Sequence, residues 1–546
     1  MKAARRFALC ALVISAPSAR SQDAATVVLG DRSYRALDQL IDAGIVTHYV
    51  RGQRPYSRRT FARLAVEARD ELAQADSLGH PPSATIRMAA ERLLTTFAED
   101  IASRADTTAG TGYRVRSVSI GSLTTDARAR SVPDNGVGSM EADLNTLTNY
   151  QQGRAFATGL NGFLETDQAL LLPFGVSIQV QPRLLGYRAR DARGGGVTGE
   201  LLAAHVRAIR RNVALTVGRE GTEWAPAPGA GLLFSANGAA LNMIRLASDA
   251  PIVLPSILRV LGLVSGTLQI ADLGRSDSSN HSLLLSYKLS MKPTEALELG
   301  AAFDDHYGGA GARGTGLLDR LIDFLPPVDL FRHHADSALV DSDKLLSADA
   351  RLRLRRLSNL TVFAEIAIED LDFNRVRSIL TEDAAYTAGV ILPVVGVPSV
   401  SARLAFHRVG IRFYEHHLFR NGITSRRFIL GDDLGRDAEG VSGAVQAQLA
   451  PTVMTSVDVA AETRRNDAYV GSYTEPGLQG FVFTRLSQSP RESRVRATIG
   501  CEWLPQGSAH VQVNARLGAE RIRNFAFIAR PSELHAVGAV SATWFP

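Results

Sequence analysis

Residues 401–437, SARLAFHRVGIRFYEHHLFRNGITSRRFILGDDLGRD, contain the two features that decide the fold. Over residues 401–413 apolar and polar side chains alternate, as in a β-strand with one face against an apolar environment. Over residues 414–437 that alternation gives way to Gly, Asp, Asn, Arg and His, which predicts a polar continuation of the strand and a loop. The stretch therefore predicts one long strand followed by a long surface loop.

The same two-residue period recurs over most of the chain after residue 109. Clear examples, separated by turn-rich stretches such as 191–199 and 308–316, are residues 176–181, 351–355, 361–368 and 452–459. Alternating segments of about ten residues between turns are the signature of a transmembrane β-barrel, whereas strands of soluble sandwiches are nearer five or six residues. The length that remains leaves room for roughly 16–20 strands.

The chain ends with such a segment, residues 534–546, LHAVGAVSATWFP. Its apolar face runs to the aromatic residue Trp544, as expected of the closing strand of a barrel, although Pro546 departs from an aromatic terminus. The predicted class is mainly β, a large antiparallel transmembrane barrel over residues 109–546.

The composition of the chain argues against some classes of function. Hydrophobic residues make up 45% of the chain and charged residues 21%, with a formal net charge of +5. This charge is mild for the length and argues against a nucleic-acid partner. The two cysteines, Cys10 and Cys501, cannot form a CxxC redox pair or a zinc site, so no cofactor is expected.

The first 21 residues are predicted to be a secretory signal peptide. Lys2, Arg5 and Arg6 precede an apolar run over residues 7–16, and Ala19-Arg20-Ser21 fits a cleavage site. Lipidation at Cys10 is an alternative, but the cysteine lies too early in the apolar run. Residues 250–271 are the strongest candidate for a membrane helix, yet Pro255 and Arg259 interrupt them. A secreted chain without a spanning helix is either exported as a soluble protein or is a β-barrel. The two-residue period favours the barrel, and the outer membrane is the predicted location.

Residues 22–108 are predicted to form a periplasmic helical module. Asp31, Ser57 and Ser83 each precede apolar residues at helical spacing and are suitable N-caps, and Gly44 is suited to end the first helix. The apolar stripes predict either a helical cap packed on the barrel or a module that contacts cell-wall polymers.

Two stretches resemble a known family. Residues 213–246, VALTVGREGTEWAPAPGAGLLFSANGAALNMIRL, and the downstream segment FYEHHLFRNGITSRRFILGDDLGRDA are similar to the capsule-assembly Wzi family of outer-membrane proteins. The resemblance implies a barrel of about 18 strands with a periplasmic helical bundle. It also implies a non-enzymatic, lectin-like role in which surface polysaccharide is bound or organised.

A glycan site needs planar polar groups and an aromatic platform. In the first stretch Arg219, Glu223 and Trp224 are suitable at the end of a strand, with Ser235 and Asn237 on the predicted returning strand. In the second stretch the candidates are Glu415, His417, Arg420 and Arg426, with Asn421 beside them. The alternative is structural, with Trp224 at the membrane interface and Arg219 paired to Glu223 in the lumen.

Arg351, Arg353 and Arg355 alternate with leucines and are predicted to face the lumen. They would either pair with Glu365 and Glu369 on the next strand or attract an acidic polymer. Metal binding is not expected, because adjacent histidines such as His416 and His417 point to opposite faces of a strand. The clusters His333-His334 and Asp304-Asp305-His306 likewise lack a strong ligand spacing.

The predicted partners are surface polysaccharide and outer-membrane lipids, and the predicted state is a monomer. Two alternatives stay open. One is a porin or transporter for small solutes or saccharides, which the inward-facing polar residues favour. The other is a barrel-embedded hydrolase, for which no GxSxG motif is present.

Overall fold

A computed structural model describes most of the chain. The described residues are 23–103, 111–133, 140–189, 194–277, 279–310, 342–369, 379–416, 419–473, 481–487, 489–505 and 510–546. The predicted signal peptide and His333-His334 lie outside them. Among the described residues, no helix has both the length and the apolar character to cross a membrane.

Four helices precede the barrel: α1 (Arg32–Ala43), α2 (Arg58–Ser77), α3 (Ala84–Thr96) and α4 (Ala98–Ser103). The predicted caps are confirmed. The side chains of Asp31, Ser57 and Ser83 accept hydrogen bonds from backbone amides in the first turns of α1, α2 and α3. Gly44 ends α1 with φ of 81°, and a side chain there would collide with the guanidinium of Arg353. The predicted third helix is divided into α3 and α4 by the break at Phe97.

The helices share an apolar core. Leu37, Leu40 and Leu64 are buried, and the ring of Phe61 stacks on that of Phe97 with centroids 4.9 Å apart. Burying a leucine contributes roughly 1.5–3 kcal/mol, which short helices need because they are marginal alone.

The rest of the described chain is dominated by a 19-stranded antiparallel sheet, of which one member is the two-residue extension Ile252–Val253. The other strands form a closed ring, in which the first strand pairs with both the second and the last. In chain order they are β1 (Gly112–Thr125), β2 (Gly159–Leu172), β3 (Val176–Ala189), β4 (Gly195–Arg210), β5 (Val213–Glu220), β6 (Leu241–Ser248), β7 (Leu263–Asp272), β8 (Leu283–Lys292), β9 (Leu297–Tyr307), β10 (Ser342–Leu354), β11 (Leu360–Glu369), β12 (Ala384–Leu392), β13 (Val400–Val409), β14 (Ala438–Ala450), β15 (Val453–Arg464), β16 (Glu492–Trp503), β17 (Val511–Arg523) and β18 (Glu533–Trp544).

Side chains alternate across the wall as the two-residue period predicts. On β5, Val213, Leu215 and Val217 are exposed on the outside, whereas Ala214 and Thr216 are buried toward the lumen. The closing strand β18 likewise exposes Leu534, Val540 and Trp544. An apolar outer face with a polar lumen is the arrangement of a transmembrane barrel, and the predicted fold class is confirmed.

The two ends of the barrel differ. The helical end carries α1–α4 and short turns such as Pro173–Gly175 and Arg355–Leu357, whereas the loop end carries long connections. Short turns face the periplasm and long loops face outward in bacterial outer-membrane barrels. Two long connections are the plug loop, residues 221–240, and the rim loop, residues 410–437.

Both loops correct details of the sequence prediction. Strand β13 ends at Val409 rather than near residue 413, and the rim loop folds back over the lumen. The returning strand β6 starts only at Leu241, so Ser235 and Asn237 lie in the plug loop rather than on a strand. Alternation alone does not mark this boundary, because a buried loop has an apolar pattern of its own.

Candidate functional site

The plug loop descends into the lumen and meets the helical module. The backbone groups of Arg54 and Glu223 exchange hydrogen bonds of 2.9 and 3.1 Å. The Glu223 carboxylate lies 3.3 Å from the guanidinium of Arg51, and both side chains are buried. The predicted pairing of Arg219 to Glu223 is not formed, because the helical module supplies the cation instead.

Trp224 belongs to the interior of this plug. Its side chain is only 1% exposed, and its ring packs edge-on against Phe234 with centroids 4.7 Å apart. Asn237 donates from Nδ2 to the carbonyl of Ile429 at 2.9 Å, and Ser235 donates to the carbonyl of Gly431 at 2.6 Å. These contacts join the plug loop to the rim loop, and the ring faces are covered by protein.

Charged residues of α1 lie between these elements. Asp38 forms ion pairs with Arg54 and with Arg51, the latter at 4.0 Å. Burial alone would raise the pKa of Asp38, but the two guanidiniums outweigh it and hold that pKa below its ordinary value. Burial raises the pKa of Asp42 more than Arg351 lowers it.

Arg351 and Arg353 on β10 lie at the same junction between the helical module and the plug loop. Arg351 and Arg353 are buried on the lumen side while Leu352 is exposed outside, as predicted. The predicted pairing with Glu365 and Glu369 is wrong. Strand register places Glu365 opposite Asp349, and Arg351 instead pairs with Asp42 and donates to the carbonyl of Pro226 at 3.1 Å.

Glu365 and Glu369, the predicted partners of these arginines, contact backbone amides of the two loops instead. Glu365 accepts from the amide of Leu232 at 3.2 Å, and Glu369 accepts from the amide of Tyr414 at 2.9 Å. Arg355 lies beyond the strand in an exposed turn at the helical end, where it pairs with Glu295. It is therefore remote from the loop end.

The rim loop is buried at both of its ends. The Tyr414 hydroxyl donates to the carbonyl of Leu232 and accepts from the amide of Asp432 at 2.8 Å. Burial raises the pKa of Tyr414 well above its ordinary value, so the phenol stays protonated and can donate. Glu415 is buried in an ion pair with Arg436, and His417 lies outside the described residues.

The middle of the rim loop remains accessible. Arg420 and Arg426 are exposed, and Arg426 lies 3.4 Å from Glu200 on β4. Arg219, at the loop end of β5, donates to Asn242 Oδ1 at 3.0 Å and to the carbonyl of Leu201 at 3.2 Å. Of the sequence candidates, Arg219, Arg420 and Arg426 thus lie at the loop end with solvent access.

Sequence reasoning missed Glu200 and Asn242 at this rim: Glu200 lies outside the two stretches that carried the resemblance, and Asn242 lies in the first of them without having been singled out. Strand register places Asn242 opposite Arg219, and the fold of the rim loop brings Arg426 to Glu200. The described residues hold no group of three or more His, Cys, Asp or Glu side chains suited to a metal ion. Because Glu415 and His416 lie in a loop, the strand-alternation argument against a metal does not apply to them.

A comparison with protein families now bears on this architecture. The family described as capsule assembly protein Wzi matches residues 130–533. The chain belongs to the Wzi family. The match includes both loops and the three solvent-accessible arginines Arg219, Arg420 and Arg426. The predicted family and the predicted outer-membrane location are confirmed.

A solved structure with a TM-score of 0.63 agrees with the fold. Wzi of Escherichia coli, described as an outer membrane protein involved in group 1 capsule assembly and a carbohydrate-binding β-barrel, is 15% identical with a TM-score of 0.63. The alignment covers 94% of this chain and 98% of that chain. OprD of Pseudomonas aeruginosa is 8% identical with a TM-score of 0.42, over 79% of this chain and 92% of that chain. No curated protein matches the chain.

Proposed function

We propose that this Wzi-family barrel binds surface polysaccharide at its loop end, without catalysis, and so holds the polymer at the outside of the cell. The observation that carries the proposal is the exposure of Arg420 and Arg426 on a loop whose two ends are buried and fixed. The described carbohydrate binding of the Escherichia coli relative supports the same class of ligand.

The chemistry suits an acidic or hydroxyl-rich polymer. Guanidinium groups donate in a planar fork that matches carboxylates, and they also donate to sugar hydroxyls. Arg219 and Asn242 extend the polar rim next to Arg426. We infer that the binding surface runs from the rim loop across the ends of β4–β6, and that one chain forms it as a monomer.

The test is binding of purified, detergent-solubilised protein to surface polysaccharide from the cells that produce it. Each charge-assisted hydrogen bond contributes roughly 1.5–3 kcal/mol, and 1.4 kcal/mol is about tenfold in affinity. The double variant Arg420→Gln/Arg426→Gln should therefore bind at least about tenfold more weakly with unchanged thermal unfolding.

A matched control is Arg355→Gln/Arg356→Gln, which removes the same charge from exposed positions at the helical end. It should leave binding unchanged. Equal binding by the two double variants would refute the proposed surface.

A porin is the second candidate, and one observation weighs against it. The plug loop and residues 51–54 lie inside the barrel, where Gln53 bonds the carbonyl of Ser265 at 2.9 Å and Gly52 bonds Glu298 at 2.8 Å. Single-channel recording separates the candidates. A steady open conductance would support a pore, and a silent bilayer would support a plugged barrel.

A further inference from the structure

A cavity of about 970 Å³ lies inside the barrel, between α1 and the inner wall of β13–β17. It reaches the helical end, where the exposed residues His80 and Pro398 line it. At its other end lie Asp432 and Asp433 of the rim loop together with Tyr150. The cavity is thus accessible from the helical end and covered by loops at the loop end.

Small inward-facing residues create this space. Strand alternation places them on the lumen side, while valines of the same strands, such as Val445 and Val457, are exposed outside. The small residues that line the cavity are Gly440, Ser442 and Ala444 on β14, Ala460 on β15 and Thr498 on β16. The plug loop borders the cavity on the β13 side, where Arg403 donates to the carbonyl of Pro228.

The polar side chains that line the cavity without a hydrogen bond or ion pair to any described residue include Gln446, Asp458, Thr498 and Arg516. They lie on four consecutive strands. Register pairs Gln446 with Ser456, Asp458 with Thr498, and Gly500 with Arg516, so the four occupy two adjacent rows. Neighbouring strands are about 4.8 Å apart, so the patch is roughly 14 Å wide.

The chemical groups of these four side chains define the class of ligand that the cavity can bind. An amide, a carboxylate, a hydroxyl and a guanidinium together offer both donors and acceptors. An apolar ligand would leave them unpaired at a cost of about 1–3 kcal/mol for each buried group. A polyanion would meet Asp458, Glu462 and the aspartates of the rim loop, and a polycation would meet the cavity arginines. A neutral or singly charged ligand rich in hydroxyl groups satisfies the whole set.

We propose that this cavity is a second saccharide site, open to the periplasm, that holds a short segment of a hydroxyl-rich glycan. The proposal takes the ligand class from the lining, and it rests on the proposed function only for the polymer from which the segment comes. The site is separate from the rim arginines, because neither Arg420 nor Arg426 lines the cavity.

The probe is a set of short oligosaccharide fragments released by mild acid from the surface polysaccharide, titrated calorimetrically into the full-length protein in detergent. Ala444→Trp fills the cavity, and Val445→Trp places the same ring on the outer face as a control. Ala444→Trp should weaken fragment binding by at least about tenfold and Val445→Trp by less than about twofold. Arg516→Gln, which leaves the volume almost unchanged, should weaken it severalfold.

The rim variants distinguish this proposal from the proposed function. Arg420→Gln/Arg426→Gln should lose the intact polymer while still binding fragments. Fragment binding that is absent, or that is equal in Ala444→Trp and Val445→Trp, overturns the cavity site and leaves the rim proposal standing. If Ala444→Trp does not fold, as judged by heat-modifiable gel mobility, unchanged fragment binding by Arg516→Gln overturns the cavity site.

Discussion

The plug loop and the rim loop leave the same end of the barrel and contain similar residue types, yet they are used differently. The plug loop presents Glu223 and Trp224 inward, where Arg51 and Phe234 cover them. The rim loop is equally fixed at its ends through Tyr414 and Glu415, but its middle keeps two arginines exposed.

The difference shows that residue type alone does not assign a role on a barrel loop. A buried charge needs a partner, and the plug loop obtains one from the helical module. An exposed charge costs little to maintain and remains available to a ligand. The two loops therefore divide the sequence candidates into a structural set and a binding set, and three variants can break or sharpen this division.

The largest effect is expected from Trp224→Ala. Removing a fully buried tryptophan costs about 3–5 kcal/mol through lost burial and the cavity left behind. The free energy of unfolding in detergent should fall by that amount, and the loosened plug should admit ion current in single-channel recording. Trp503→Ala is the control, because Trp503 is 46% exposed on the outer face.

The opposite result for Trp224→Ala would assign the tryptophan a different role. Unchanged unfolding together with lost polysaccharide binding would make Trp224 an aromatic platform for sugars, and the plug loop would join the rim loop in the binding set.

A smaller effect is expected from Asp38→Asn, which removes the carboxylate shared by Arg51 and Arg54. Loss of charge-assisted hydrogen bonds should cost roughly 1.5–3 kcal/mol at neutral pH. The control is Asp70→Asn on the exposed face of α2, which should be neutral.

The effect of Asp38→Asn depends on pH in a defined direction. Because the folded-state pKa of Asp38 is lowered, its stabilisation is fully present above the ordinary pKa of about 3.9 and is lost as the pH falls through the folded-state pKa. The difference in unfolding free energy between wild type and variant should therefore be constant near pH 7 and shrink below about pH 4. A difference that grows on acidification would contradict the assignment.

Sequence reasoning reached the architecture because a barrel imposes local rules. Alternation identified the strand around Leu352, and caps such as Asp31 and Ser57 located the helices. Sequence reasoning did not predict the contacts of the plug loop with the helical module. Nothing near Glu223 indicates that its partner is Arg51, and the contact forms only once the barrel closes around the module. The rim site was reached in part, since Arg426 was identified but its neighbour Glu200 was not.

The smallest effect is expected from Arg219→Gln, which tests where the boundary between the two sets lies. Arg219 is the last outward-facing residue of β5 before the plug loop, and its guanidinium is held by Asn242 and the carbonyl of Leu201. The side chain is partly exposed, so stability should change by no more than about 0.5 kcal/mol.

Polysaccharide affinity of Arg219→Gln should fall by about two- to fivefold, because an exposed charge beside the main contacts contributes roughly 0.4–1 kcal/mol. Arg521→Gln, another exposed arginine near the loop end but on β17, should have no effect on binding. A loss as large as that of Arg420→Gln/Arg426→Gln would move the centre of the site to the ends of β4–β6, and the start of the plug loop would then belong to the binding surface.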